Sequence, residues 1–146
     1  HRCSCKQSEI DSYKRKISGP LMDRIDMQIN LSRVEFSELK TKEKGEASAA
    51  IRERVVKARL LQQERLEALG MHCNAQMGRS EVVKYCQLDA AAQNVMERYF
   101  NMLNLSARSH DRILKVARTI ADLAGSKNIE AVHLAEAIQL RTSVRP

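Results

Sequence analysis

The chain has 146 residues, of which 43% are apolar and 29% charged, and this composition suits one domain with a modest core rather than a disordered tail. Lys and Arg total 25 against 18 Asp and Glu, and the net charge of +7 favours an acidic partner such as nucleic acid, nucleotide or an anionic surface. Aromatic residues make up only 3%, which counts against the RNA-binding sheets and single-strand-binding barrels that stack bases on exposed rings. No apolar run approaches the roughly 18–20 residues of a membrane span, and no signal peptide is evident, so we expect a cytoplasmic chain without a membrane partner.

The N-terminal part is predicted to contain two short helices. The first covers about residues 8–17, with Ser8 as its N-cap. It should end at Ser18-Gly19-Pro20, because Gly is a poor helix residue and Pro cannot continue the hydrogen-bond ladder. Pro20 then suits the first turn of a second, very short helix over Leu21 to Arg24.

A strand and a linker are predicted next. Residues 27–31 alternate apolar and polar side chains, which is the period of a strand. Residues 33–46 are polar and end in Lys44-Gly45-Glu46, a pattern typical of a linker. We therefore divide the chain into an N-terminal unit at 1–32, the linker at 33–46 and a helical unit at 47–142.

The helical unit is predicted to contain about five helices, which makes the fold mainly α. The first runs from Glu46 to Leu69 and is ended by Gly70. Its predicted apolar stripe consists of Ile51, Val55, Ala58, Leu66 and Leu69. After an irregular connection, two shorter helices are expected at 80–86, capped by Ser80, and at about 89–103.

The strongest helical pattern runs from Ala107 to Ala124, between a capping Ser106 and a terminating Gly125. Its apolar half consists of Ile113, Val116, Ala117, Ile120, Ala121 and Ala124. Its other half carries Arg108, Arg112, Lys115, Arg118 and Asp122. A last helix over about 130–142 is predicted to bury Ala131, Leu134, Ala135 and Ile138.

Metal-binding residues are sparse. Cys3-Ser4-Cys5 is a Cys-x-Cys pair, which can supply half of a tetrahedral zinc site, but Cys73 and Cys86 are not spaced as the other half. The four His share no metal-ligand spacing. We expect free, reduced thiols and no metal site in this chain.

Motifs for catalysis are also missing from the sequence. It contains neither a G-x-S-x-G nucleophile elbow nor a G-x-x-x-x-G-K-[ST] phosphate loop. A chain without a phosphate loop is not expected to bind and hydrolyse a nucleoside triphosphate by itself.

Two arginines stand in positions suited to an anion. Arg24 ends a tight Gly-Pro element, from which a permanently charged guanidinium can reach a phosphate in bidentate geometry. Arg108 is the second residue of the strongest helix, where the helix dipole favours an anion. Taken alone, an arginine at either position is more often a solvated or salt-bridged surface residue.

Two segments of the chain, read together, indicate a family. Residues 17–26 (ISGPLMDRID) followed by residues 105–123 (LSARSHDRILKVARTIADL) resemble the magnesium-chelatase-like AAA+ ATPases. The similarity is greater to the competence-type branch, described as DNA helicases. Residues 45–48, 51–65 and 133–138, together with Arg141, extend the resemblance over nearly the whole chain.

The resemblance implies that this chain is the C-terminal part of a larger ATPase. The Walker A lysine, Walker B acid and polar sensor would lie upstream, so that residues 1–32 are the last edge of an α/β AAA+ core and 47–142 its helical lid. Arg24 would be the arginine finger that reaches ATP in a neighbouring subunit, and Arg108 the sensor-2 arginine. ATP and Mg²⁺ would be bound by the intact protein, which would form a homo-oligomeric, hexameric ring acting on DNA. The isolated chain would be inactive and would bind neither ATP nor Mg²⁺. In the ring, the position of the lid would depend on the nucleotide state.

The resemblance leaves some alternatives open. A second Cys pair upstream in the family pattern would allow a zinc site with Cys3 and Cys5 in the intact protein. A relative or subunit of magnesium chelatase that drives metal insertion is one alternative function. A helical module that binds another protein and has no nucleotide role is the other.

Overall fold

The computed structural model describes residues 4–31, 34, 45–103 and 105–142. The described chain is mainly helical, as the sequence predicts. Its helices are α1 (Gln7–Lys14), α2 (Gly19–Met22), α3 (Ser48–Leu66), α4 (Arg79–Tyr85), α5 (Ala90–Met102), α6 (Ala107–Leu123) and α7 (Ala131–Thr142). Short 3-10 turns at Glu67–Leu69 and Asn74–Gln76 follow α3.

Helix α6 lies at the centre of the bundle. It packs against α7, α3 and α4, while α5 packs against α7. The buried core consists mainly of Leu66, Met77, Val82, Ala92, Met96, Ile113, Leu114, Ala117, Ala121, Ile129, Leu134 and Ile138. The five helices α3 to α7 therefore correspond to the predicted helical unit.

Most predicted helix ends in this bundle are confirmed. Ser106 caps α6, because its hydroxyl oxygen accepts a hydrogen bond from the backbone N–H of Ser109 at 3.1 Å. Gly125 follows the C-cap of α6 with a left-handed φ of 69°. Helix α3 ends at Leu66, earlier than predicted, and Gly70, with a φ of 68°, ends the 3-10 turn that follows it. Ser80, however, is not a cap, since Gly78 occupies the N-cap position of α4.

The predicted strand at 27–31 is wrong. These residues have no regular secondary structure, and the described parts of the chain contain only an isolated parallel bridge, between Leu88 and Ile129. The backbone N–H of Gln28 instead donates to the carbonyl of Leu140, 2.6 Å away on α7. A strand requires a neighbouring strand, and the described residues supply none beside this segment.

The two short N-terminal helices are present with shifted ends. Helix α1 begins after Lys6 rather than at Ser8, and its first turn is closed by the Glu9 carboxylate, which accepts from the backbone N–H of Lys6 at 2.8 Å. Helix α2 begins one to two residues earlier than predicted, because Ser18 rather than a later residue caps it. The predicted linker at 33–46 lies outside the described residues except for Val34 and 45–46, and the domain division stays a prediction.

Three predicted apolar faces are buried only in part, and on the face predicted for α6 Ala124 is exposed. On α3, Ala58 and Leu66 are buried, whereas Ile51, Val55 and the following Leu69 remain 41–47% exposed. On α7, Leu134 and Ile138 are buried, but Ala135 is exposed and Ala131 only half-buried. The N-terminal half of α3 extends beyond the bundle, so periodicity alone overestimated its burial. Among the described residues, no helix combines the length and apolarity required to cross a membrane.

Candidate functional site

The first turn of α6 carries the predicted phosphate-binding arginine. Arg108 is the second residue of α6, two positions after the capping Ser106, and its side chain is exposed. Ser109, one position further, is fully buried. This turn of the helix therefore has one face in the protein and one face, with Arg108, in solvent.

An acidic side chain of the N-terminal segment already lies at this end of α6. The Asp23 carboxylate is 3.4 Å from the hydroxyl oxygen of Ser106 and 3.2 Å from that of Ser109. The positive end of the helix dipole favours a carboxylate there. The sequence predicted that the N-terminus of the helix itself attracts an external anion. In the structure the Asp23 carboxylate lies there instead, so that a ligand would contact the side chain of Arg108.

Two arginines of the helical bundle hold the backbone around Arg24. Arg112 of α6 donates to the carbonyl of Arg24 at 2.8 Å. Arg141 of α7 donates to the carbonyls of Ile25 at 2.6 Å and Asp23 at 3.2 Å. Three successive carbonyls thus accept hydrogen bonds from guanidinium groups, and we call Arg112 and Arg141 the carbonyl clamp.

Arg141 is the buried half of the clamp. Arg141 is only 3% exposed. Its guanidinium also donates to the Ser109 hydroxyl at 3.0 Å and lies 3.6 Å from the Asp23 carboxylate. Charge-assisted hydrogen bonds of this kind are stronger than neutral ones. The clamp therefore fixes residues 23–25 against the start of α6 and the end of α7.

The side chains of Arg24 and Arg108 differ from those of the clamp. Both are exposed, and neither makes a hydrogen bond or ion pair with any residue in the described parts of the chain. Arg112, which binds the Arg24 carbonyl, lies four positions after Arg108 and hence on the same face of α6, one turn away. The structure therefore brings the backbone of Arg24 close to Arg108 and leaves both guanidinium groups open to a ligand.

A groove of about 680 Å³ runs beside this end of α6. Its cationic lining residues are Arg79, Arg108, Arg112 and Lys115. Arg79 pairs with Asp111, and Arg112 with Asp26. Lys115 donates to the Ala75 carbonyl at 3.2 Å. Within the described residues, Arg108 is the cation of this groove that has no protein partner.

Comparison with known proteins places the chain in a family. Residues 45–141 match the family described as "Magnesium chelatase, subunit ChlI C-terminal", and residues 1–39 match "Magnesium chelatase, subunit ChlI". The chain belongs to the magnesium-chelatase-like AAA+ family. The resemblance predicted from the two arginine-containing segments is thereby confirmed.

Individual relatives extend this result. The chain is 40% identical over 138 residues to the competence protein ComM of Haemophilus influenzae, which covers 94% of the chain and 26% of ComM. It is 36% identical to the protein YifB of Escherichia coli, with the same coverage. It is 30% identical over 139 residues to the protein Rv2897c of Mycobacterium tuberculosis, with 95% of the chain and 27% of that protein covered. The chain thus spans about a quarter of the length of these curated relatives.

The other end of α6 in this magnesium-chelatase-like bundle contains a second polar network. The buried Asp122 carboxylate accepts from Arg65 at 2.6 and 3.0 Å, from Asn74 at 2.8 Å and from Arg118 at 3.1 Å. Arg118 also donates to the carbonyls of Ser126 at 2.6 Å and Lys127 at 2.9 Å. We call Arg65, Asn74, Arg118 and Asp122 the C-terminal network.

The electrostatics of the C-terminal network follow from its burial. The hydrogen bond to Asp122 raises the pKa of Arg65, whereas desolvation by burial lowers the pKa of Arg118. Both groups are charged, because the guanidinium of arginine is not deprotonated in proteins. The sequence had placed Arg118 and Asp122 on the polar half of α6, but the structure buries them at 3% and 2% exposure. Each supplies the counter-charge that the other requires when it is buried.

The cysteines do not form a metal centre within the described residues. Cys5 is exposed, Cys73 half-buried and Cys86 buried, and Cys3 lies outside the described residues. No group of three or more His, Cys, Asp or Glu in the described ranges could hold a metal ion. A zinc site that includes Cys3 and Cys5 in the intact protein stays a prediction.

Sequence reasoning missed Asp23, Ser109 and the clamp as parts of the site. A signal for Arg141 was present, because it follows Leu134 and Ile138 at helical spacing and so falls on the buried stripe of α7. Ser109 likewise precedes Ile113 and Ala117 on the buried stripe of α6. A polar residue on an apolar stripe requires a buried partner, and that partner was distant in the chain.

Proposed function

We propose that this chain is the end of the nucleotide-binding core and the helical lid of an AAA+ ATPase, in which Arg24 and Arg108 both contact nucleotide phosphate. Arg24 acts as the arginine finger toward ATP bound by the neighbouring subunit, and Arg108 as the sensor-2 arginine. The observation that supports this proposal most directly is that both guanidinium groups are exposed and without a partner in the described chain, beside an end of α6 where the other arginines are bonded.

The chemistry of the guanidinium suits these roles. It stays charged at all working pH values and donates paired hydrogen bonds that match two phosphate oxygens. Charge that builds up on a transferring phosphoryl group is stabilised by such a donor, an effect of roughly 10³–10⁵ in rate in related NTPases. The two arginines therefore fit the phosphate part of ATP.

The remaining parts of the ATP site are proposed to lie in an upstream AAA+ core of the same protein. The chain covers only 26% of ComM, so the relatives have ample length for such a core. That core would hold ATP and Mg²⁺, and the whole protein would assemble into a homo-oligomeric ring. We expect the 146-residue chain alone to be inactive toward ATP.

Alanine substitutions in the intact protein test the two roles. Arg24→Ala should retain ATP binding while hydrolysis falls by roughly 10³-fold or more. Arg108→Ala should lower hydrolysis and weaken ATP binding, without an effect on folding because the side chain is exposed. Arg52→Ala, which removes another exposed arginine on α3, is the control and should hydrolyse ATP at the parent rate. A parent rate in Arg24→Ala or Arg108→Ala would overturn that assignment.

We propose that the ring acts on DNA, as a helicase-like motor. The support is the net charge of +7, which favours a polyanion. Binding of the intact protein to duplex, forked and single-stranded DNA should weaken steeply as salt is raised, because each phosphate contact releases counterions. Absence of binding at low salt would contradict DNA as the substrate.

The second candidate function is that of a chelatase subunit, since the matching family descriptions name magnesium chelatase. In that case ATP hydrolysis would drive metal insertion into a porphyrin and would not respond to DNA. Stimulation of ATP hydrolysis by DNA therefore discriminates between the two candidates.

A further inference from the structure

We infer that the carbonyl clamp, Arg112 and Arg141, is a positioning device that makes Arg24 and Arg108 one rigid unit. The inference deepens the proposed function and rests on it. Arg112 and Arg141 contact no phosphate in this scheme, but act through the backbone that carries Arg24.

The first observation is that the clamp binds each carbonyl around Arg24. The carbonyls of Asp23, Arg24 and Ile25 all accept from arginine side chains of α6 or α7, at 3.2, 2.8 and 2.6 Å. A backbone held at three successive peptide groups has little freedom in φ and ψ. The Arg24 side chain therefore projects from a fixed base although it is itself exposed.

The second observation is that the same groups also hold the start of α6. Arg141 donates to the Ser109 hydroxyl at 3.0 Å, next to Arg108 in the chain, and Arg112 lies one turn from Arg108. Arg141 is only 3% exposed, so its bonds are shielded from competing water. A movement of Arg24 relative to Arg108 would have to break several charge-assisted hydrogen bonds at once.

The consequence is that the edge of the core and the lid move together. The phosphate group that contacts Arg24 and the phosphate group that contacts Arg108 would then be held at a fixed spacing from each other. Conformational changes in the nucleotide cycle would then occur upstream of Asp23, not between residues 23–25 and α6.

The test compares substitutions of clamp arginines with matched controls in the intact protein. Arg112→Gln and Arg141→Gln should lower kcat for ATP by about 10–100-fold, because a misplaced catalytic group loses its alignment, while KM for ATP stays within about twofold. Arg118→Gln is the control for burial, since Arg118 is equally buried at 3% and also binds two carbonyls, but at the other end of α6. Asp26→Ala is the control for charge, because it removes the ion pair of Arg112 and keeps its bond to the Arg24 carbonyl. Rates are expressed per folded protein, and both controls should retain the parent kcat.

Hydrogen exchange gives a readout that does not depend on ATP. The backbone amides of Arg24 and Ile25 donate to the carbonyls of Leu21 and Met22, at 2.9 and 3.2 Å, and should exchange faster in Arg141→Gln than in Arg118→Gln. This measurement can be made on the 146-residue chain as well as on the intact protein.

The two proposals fail in different ways. If Arg24→Ala is impaired while Arg112→Gln and Arg141→Gln keep the parent kcat, the positioning role is wrong and the proposed function stands. If Arg24→Ala itself hydrolyses ATP at the parent rate, the finger assignment is wrong, and unchanged exchange at Arg24 and Ile25 in Arg141→Gln would then reject the clamp as well. A fall in kcat in Arg118→Gln equal to that in Arg141→Gln would show a general loss of packing and would also reject it.

Discussion

The two ends of α6 are both held by arginines, but they are built for different purposes. At the C-terminal end, Arg65 and Arg118 converge on the buried Asp122 carboxylate. At the N-terminal end, Arg112 and Arg141 pair with the carboxylates of Asp26 and Asp23 and also bind backbone carbonyls of that distant segment. The first arrangement joins α3 and α6 through one buried carboxylate, whereas the second also holds the backbone of residues 23–25 in place.

The difference also determines which arginines remain available. Both arginines of the C-terminal network have a carboxylate partner, so neither of these two guanidinium groups is unpaired in the described chain. The N-terminal end carries two further arginines, Arg24 and Arg108, whose exposed side chains have no partner among the described residues. A basic helical bundle can thus contain paired and unpaired arginines a few turns apart among its described residues, and their partners rather than their spacing distinguish them.

Removal of the central carboxylate should have the largest effect on stability. Asp122→Ala leaves Arg118 buried without a counter-charge, and we expect the free energy of unfolding to fall by about 3–5 kcal/mol. Urea denaturation followed by circular dichroism measures this change. The rate of ATP hydrolysis per folded intact protein should be unaffected. A loss below about 1 kcal/mol would show that the network contributes no more than a surface ion pair.

The reactivity of the Cys86 thiol measures whether the C-terminal network is intact. Burial raises the pKa of the Cys86 thiol from 9.0 to about 11, even though Arg118 and Arg65 oppose that shift. At pH ~8 the thiolate fraction of Cys86 is then small, and its sulfur is buried, so Cys86 should react with a thiol reagent much more slowly than the exposed Cys5. Asp122→Ala should accelerate the reaction of Cys86. Equal rates for Cys5 and Cys86 in the parent chain would contradict the burial.

The raised pKa of Cys86 also gives a dependence of stability on pH. The folded chain holds the thiol proton more tightly than the unfolded chain does, since the folded pKa is the higher one. The contribution to stability is therefore complete below pH 9.0 and is lost as the pH rises through about 11. Cys86→Ser should remove this dependence.

The sequence predicted the elements that depend on local pattern. Helix α6 combined an amphipathic period with a capping Ser106 and a terminating Gly125, and each of these signals acts within a few residues. The strand at 27–31 failed because alternation alone does not make a strand when no described residues pair with it.

The candidate site was predictable only in part. Arg24 and Arg108 were singled out by their positions in the sequence and given roles by the resemblance. The backbone of Arg24 and the Arg108 residue lie at one end of α6, and their roles stay proposals. Asp23 and Arg141 were missed, because each completes a contact between segments more than a hundred positions apart, and no local pattern records such a pair. The ion pair of Asp122 with Arg65, 57 positions away, joins α6 to α3 and likewise has no local sequence pattern that records it.

The stability of the protein should depend moderately on the residue that caps the N-terminus of α6. Ser106→Ala removes the acceptor for the Ser109 N–H and one hydroxyl beside Asp23, and should cost about 1 kcal/mol of stability. Ser8→Ala is the control, because Ser8 lies within α1 and is not its cap. Thermal unfolding of the two variants measures the difference, and an equal loss in both would contradict the capping role of Ser106.

The variant with the smallest expected effect tests whether an ion pair or a backbone contact holds the N-terminal segment against the start of α6. Asp26→Ala removes the ion pair with Arg112, but Asp26 is 51% exposed, so water and salt already weaken that pair. We expect a loss of less than about 1 kcal/mol, measured by urea denaturation, that disappears in high salt. Arg112→Gln should cost more than Asp26→Ala, because it also removes the bond to the Arg24 carbonyl. If the two variants lose the same stability, the ion pair accounts for the whole contribution of Arg112. The bond of Arg112 to the Arg24 carbonyl would then add no stability, and Arg112 would no longer distinguish the two ends of α6.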